Sequence, residues 1–180
     1  MRKAQAGTHF RSWRIAVWGG AGLLLLAPLV AMQFTDEVAW TGSDFAIMGV
    51  MLAIVCGGLE LMVCLSRNYA ARAGAAVALA AGFVLTWMNL AVGFIGNENN
   101  PLNLMFFGVI AIAAVGAAVA RLRPAGMATA MIATAAAQTL AAVVAQAYGH
   151  FTWILTAGFV ALWLGSAWLF RKAARDQAAA

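Results

Sequence analysis

Ten residues place oxygen or nitrogen ligands in a chain that is 64% hydrophobic and 9% charged: Asp36, Glu37, Asp44, Glu60, Asn89, Asn97, Glu98, Asn100, Asn103 and His150. Eight of them fall in three short polar stretches, QFTDEVAWTGSDF (33–45), GNENNPLN (96–103) and YGH (148–150). Carboxylate and amide oxygens with no Lys or Arg beside them suit a hard cation such as Ca²⁺ or Mg²⁺. Their spacing matches no metal-binding loop, and a plainer role competes. Asp44 and Asn103 each stand where an N-cap precedes a helix, so the same residues also read as solvated, cap-forming loops.

Glu60 is a different case, because it is the one formal charge inside an otherwise apolar run. An ionisable group inside a bilayer is costly and is a functional candidate by default. It lies seven residues before Arg67, about 10 Å along a helix, where it can snorkel or pair with Arg67, Arg72 or Arg121. The two readings are a structural ion pair and a proton or ion relay. Cys56, Glu60 and Cys64 share one helical stripe, but three ligands spread over two turns fit a single metal centre poorly, and buried Cys usually acts as a small hydrophobe. The cysteines are about 12 Å apart on that helix, too far for a disulfide. Met32, Met48, Met51, Met88 and Met105 fall near His150 in the topology below. Thioethers suit Cu(I), although Met is also a common packing filler.

The elements that must position these groups follow from hydropathy. A hydrocarbon core of about 30 Å needs about 20 apolar residues as a helix. Six stretches qualify: Ile15–Thr35, Phe45–Ser66, Ala73–Gly96, Leu102–Ala120, Ala125–Gly149 and Phe151–Phe170. The connections are short, leaving no room between spans for an extramembrane domain. All 11 basic residues then fall on one side: Arg2, Lys3, Arg11 and Arg14 before span 1, Arg67 and Arg72 after span 2, Arg121 and Arg123 after span 4, and Arg171, Lys172 and Arg175 after span 6. Lys and Arg collect on the cytoplasmic side, so both termini are expected inside. The polar stretches form an acidic outer rim. The net charge of +5 reflects this topology, and a nucleic-acid partner is not expected. A basic start before an apolar run also resembles a signal peptide, but the run is span-length and Leu29-Val30-Ala31 is a poor cleavage site, so span 1 is expected to stay.

Trp13 and Trp168 fall at the inner boundary and Trp40 and Trp153 at the outer, as an interfacial belt requires. Trp18, Trp87 and Trp163 lie deeper. Spans 3 and 5 carry Gly74, Ala78 and Gly82, and Ala130, Thr134 and Gln138, at four-residue spacing. Small residues let helix backbones approach closely in lipid, which predicts a central position for spans 3 and 5 and a lipid-facing one for 1 and 6. Asn89, Gln138 and Gln146 place amides on the central helices, where interhelical hydrogen bonds would use them. Pro28 can kink span 1. A repeat offset by 59 residues aligns Asp44, Gly49 and Gly57 with Asn103, Gly108 and Gly116. It would make the protein a set of helical hairpins.

Two histidines cannot supply the paired axial ligands of a two-haem cytochrome or the clusters of intramembrane metallohydrolases. No phosphate-binding loop, Gly-x-Ser-x-Gly or nucleophile–base pair is present, so neither enzymatic activity nor a cofactor is expected. The strings QFTDEVAWTGSDF, GNENNPLNLMFFG and ALWLGSAWLFRKAAR resemble those of a family of small polytopic inner-membrane proteins of Proteobacteria. The likeness runs from about Trp18 to Arg175. It implies a bacterial cytoplasmic membrane and brings no functional residues with it.

The sequence therefore predicts an all-α bundle of six transmembrane helices at residues 15–170, with a basic cytoplasmic segment at 1–14 and a cytoplasmic tail at 171–180. Two functions compete. One is binding or transport of a small cation or polar solute, gathered by the rim and passed by amides of spans 3 and 5, with Glu60 as an inner relay and a homo-oligomer enclosing the path. The other is a non-catalytic accessory or scaffold subunit that meets a larger membrane-protein partner and the lipid bilayer through spans 1 and 6.

Overall fold

The computed structural model describes residues 2–179, with side chains from Trp13 onward. Among them the chain is helical with no strand: α1 (Arg2–Ala31), α2 (Gly42–Leu65), α3 (Tyr69–Ala91), α4 (Leu104–Val119), α5 (Pro124–Ala147) and α6 (Trp153–Ala178), with one 3₁₀ turn at Pro101–Asn103 before α4. Six helical segments are long and apolar enough to cross a membrane, so this is a multi-pass membrane protein. The helix ends differ from the apolar runs in an instructive way. α1 starts at Arg2 and α6 continues to Ala178, because Arg, Lys and Ala are strong helix formers. Hydropathy marks where lipid ends, while the helix runs on into the basic flanks.

The chain divides into two compact units, Met1–Leu61 and Met62–Ala180. In the first, α1 and α2 form an antiparallel pair. Arg14 meets Glu60, the Cys56 thiol lies 3.9 Å from the Val17 carbonyl, and a Cβ on Gly49 would sit 3.8 Å from Leu25. Pro28 lies inside α1, in its last turn.

The second unit is the better-packed body. α5 packs along α6, α3 on α6, and α4 on α5, with a lighter α3–α4 contact. Half of the membrane-length window of α5 (50%) is buried, against 33% for α6 and 28% for α3. The central pair is therefore α5 and α6, which corrects the expectation that α6 faces lipid beside a central α3. The reason lies in α6 itself. Thr156, Phe159, Trp163, Ser166, Phe170 and Ala173 recur at alternating spacings of three and four and are all buried. This stripe was obscured by the bulky residues of the other faces.

The small residues do what their spacing predicts. A Cβ on Gly74 would lie 3.2 Å from the Phe170 ring, and the Ser166 hydroxyl donates to the Gly74 carbonyl at 2.8 Å. On the α4–α5 side, a Cβ on Gly116 would stand 2.7 Å from Ala130 Cβ, and one on Gly126 2.8 Å from Ala120 Cβ. Because lipid is as apolar as the side chains, such close approach and its dispersion contacts hold the helices together.

α3 ends at Ala91, earlier than the apolar run, because Gly93 adopts a left-handed φ of +74°. The following Phe94 and Ile95 turn inward and are buried. The Phe94 ring lies tilted against Phe106 and Phe159, with centroids 4.0 Å and 5.8 Å away, so this loop closes one end of the body.

Candidate functional site

In the first unit, Asp36 and Glu37 are exposed in the turn after α1, where the Glu37 N–H donates to Thr35 Oγ1 at 3.2 Å. Asp44 is not the N-cap of α2. Thr41 holds that place, and Asp44 Oδ2, in the first turn, accepts from both the Thr41 N–H and its hydroxyl at 2.7 Å. The arrangement is a capping box, in which the acid reaches back to the cap.

Glu60 forms an ion pair, but with a partner from α1 that the sequence did not suggest. Arg14 Nε donates to Glu60 Oε1 at 2.6 Å, and Trp18 Nε1 donates to the same oxygen at 2.9 Å. Arg72 is engaged elsewhere, donating to the carbonyls of Ser66 (2.7 Å) and Val63 (3.0 Å) and so capping the end of α2. Cys56 is buried and Cys64 exposed, and no cluster of three metal-ligating His, Cys, Asp or Glu occurs among the described residues.

In the second unit, the Asn-rich segment divides by depth. Asn97 and Glu98 are exposed; Asn97 Oδ1 accepts from the Asn99 N–H at 3.0 Å, and Glu98 Oε1 from Asn99 Nδ2 at 3.2 Å. Asn100 caps the 3₁₀ turn, its Oδ1 accepting from the Leu102 N–H at 3.0 Å. Asn103, expected to cap α4, makes no side-chain cap bond. It is buried, accepts from the Ile95 N–H at 2.8 Å and donates to the Asn97 carbonyl at 2.7 Å. Asn89 is also buried, donating to the Asn103 carbonyl at 3.0 Å and accepting from the Phe94 N–H at 3.4 Å. These amides fasten the loop. Half-buried His150 closes the α5–α6 turn, its N–H donating to the Ala145 carbonyl at 2.9 Å, beside Gly149 at φ +82°.

Asp44 and Asn103, aligned by the repeat, both stand at a helix start but do different work there. Asp44 completes a capping box and Asn103 clamps a loop. Gly116 is crowded, whereas a Cβ on Gly57 would meet nothing within 4 Å.

The polar groups that remain unused lie deeper. Gln138 in α5 is wholly buried, and neither its amide oxygen nor its amide nitrogen has a hydrogen-bond partner. The same holds for Trp163 Nε1 and Thr156 Oγ1 in α6 and for Thr152 Oγ1 just before it. Farther from the α5–α6 turn, the hydroxyls are committed: Thr134 donates to the Ala130 carbonyl at 2.9 Å and Ser166 to Gly74. The Gln138 amide was legible as a residue type on a central helix; that it stands unpartnered was not. Trp163 and Thr156 gave no separate signal, since an indole and a lone threonine in an apolar run ordinarily read as packing.

No family model, curated protein or solved structure matches this chain.

Proposed function

We propose that this chain is a non-catalytic protein of the bacterial cytoplasmic membrane that binds a small polar solute inside the body formed by α3 to α6, with both termini cytoplasmic. Orientation and compartment rest on the one-sided Lys and Arg residues and on the likeness to small polytopic inner-membrane proteins. The observation that carries the binding reading is Gln138. It offers two donors and an acceptor at mid-depth, in the most buried helix, with none of them used. Leaving such a group unsatisfied in a membrane interior costs several kcal/mol, roughly 2–7 by transfer, so its retention argues for an occupant.

A cation form of this reading draws less support from the side chains. Glu60 is engaged by Arg14 and Trp18, and the Asn100 and Asn103 oxygens hold backbone N–H groups. The accessory reading is favoured by α1, of whose apolar window only 6% is buried, leaving a long face for lipid, a second copy or a larger membrane protein.

The test is thermal unfolding of the purified full chain against a panel of small neutral solutes and salts. At least one should raise Tm with the logarithm of its concentration, and the rise should vanish in Gln138→Met. If nothing in the panel moves the wild type while a fixed membrane protein co-purifies in mild detergent, the accessory reading replaces this one.

A further inference from the structure

We infer that one exposed flank of α6 is a docking site for an anionic phospholipid, with the phosphate held by Arg171 and Arg175 and an acyl chain lying along Trp168 and Leu164. The four residues recur at spacings of four, three and four, so they share one face of the helix over about 16 Å at 1.5 Å per residue. All four are exposed. The buried stripe from Thr156 to Ala173 lies on the other side, where Ser166 and Phe170 meet Gly74 of α3. The packing of α6 thus leaves this flank open.

The order of residues along the flank matches the order of groups in a phospholipid. Leu164 is aliphatic, and Trp168 carries an indole of the kind that settles at headgroup level. Arg171 and Arg175 follow within the next two turns, and guanidinium groups bind phosphate oxygens with paired hydrogen bonds. Neither arginine is committed to a carboxylate, since the salt bridge among the described residues is Arg14–Glu60. Asp176, the one acid on α6, turns toward α3, where it accepts from Asn68 Nδ2 at 3.1 Å.

Charge at this end of the body selects the class of lipid. The Asn68–Asp176 bond brings the start of α3 to the end of α6. The turn at 148–152 sends α6 back along α5, which sets the start of α5 level with the same end. Exposed Arg67, Arg121 and Arg123 therefore stand there too. In the α4–α5 turn, Arg121 and Leu122 take φ of +48° and +57°; half-buried Leu122 packs on the core, and an exposed arginine remains on each side of it. No acid occupies the first turn of α5 to offset them. A zwitterionic lipid carries its own cation beside the phosphate and gains little from such a field, whereas a lipid of net negative charge gains from each nearby arginine. A free anion would gain the charges but not the apolar contact with Trp168 and Leu164.

The test is fluorescence of the full chain in nanodiscs in which a fraction of the lipid has brominated acyl chains, which quench a tryptophan they touch. The Trp168 signal is the difference from Trp168→Phe. Brominated phosphatidylglycerol, which is anionic, and brominated phosphatidylcholine are compared at equal mole fraction, with inorganic phosphate or chloride added at matched ionic strength. The expected result is a several-fold preference for the anionic lipid beside Trp168, no more sensitive to phosphate than to chloride. Arg171→Gln with Arg175→Gln should remove most of the preference while both lipids still quench, which shows α6 still in the bilayer. Should the double variant not insert, Arg175→Gln alone is expected to lower the preference. Equal quenching by the two lipids in the wild type overturns the proposal. A preference that survives loss of both arginines overturns the site, and one abolished by phosphate makes the ligand a free anion. Absence of quenching by either lipid shows the flank covered by protein and overturns it as well.

Discussion

Asn89 Nδ2 donates to the backbone carbonyl of Asn103 at 3.0 Å while the Asn103 side chain holds the Ile95 N–H, so two buried amides 14 residues apart pin the intervening loop to the ends of α3 and α4. The pinned segment carries Phe94 and Ile95 into the core. Removing Asn103 leaves the buried Ile95 N–H without its side-chain partner. A buried group so abandoned costs about 1–3 kcal/mol. Asn103→Ala should therefore lower stability by about 1–3 kcal/mol, and hydrogen exchange should accelerate at residues 93–100. Equal exchange in variant and wild type would show that the amides do not hold the loop.

The glycines separate into crowded and open positions. Gly116→Ala places a Cβ 2.7 Å from Ala130 Cβ and must push α4 from α5. Overpacking of this kind costs about 1–3 kcal/mol. Gly108→Ala, on the same helix, meets nothing within 4 Å and should be neutral or stabilising by up to about 1 kcal/mol through helix propensity. Thermal unfolding of the two variants side by side checks the α4–α5 contact, and identical midpoints would contradict it.

These particulars show what the sequence makes legible. Hydropathy located all six helices because the bilayer imposes a length of apolar chain. Small-residue spacing located the close approaches at Gly74 and along α5 because those depend on local composition. The partners of Asn103, Asp44 and Glu60 were not legible for one common reason. Each role is decided by a partner: Ile95 across a loop, Thr41 one turn back in a capping box, and Arg14 a helix away. Residue type announces a hydrogen-bonding capacity but not which neighbour takes it up. The α6 stripe was missed because bulky residues on its outer faces conceal a buried side built of Thr, Ser, Ala and aromatics.

The Arg14–Glu60–Trp18 cluster gives a test of whether Glu60 works or merely holds. Both residues lie within membrane-length segments, so Glu60→Gln leaves Arg14 without its counter-charge and should lower Tm. Its effect should be non-additive with Arg14→Gln, because each single change already removes their shared bond. Solute binding should survive Glu60→Gln unchanged. A variant that folds normally but loses binding would instead make Glu60 part of the functional machinery. Arg72→Ala, by contrast, removes two charged bonds to the carbonyls of Val63 and Ser66 and should cost more than Arg67→Ala, whose side chain is exposed.

The proposed orientation rests on the positions of the basic residues and can be tested directly. With both termini cytoplasmic, the loop at Glu98 would lie outside and the loop at Arg123 inside. Both positions are exposed, so neither substitution disturbs the core. In a background of Cys64→Ser, which removes the exposed thiol while the buried Cys56 stays, Glu98→Cys should react with a membrane-impermeant maleimide added to intact cells. Arg123→Cys should react only after the membrane is opened. The reverse pattern would invert the topology and put the Asn-rich loop and the α5–α6 turn on the cytoplasmic side, against the charge bias of the basic residues.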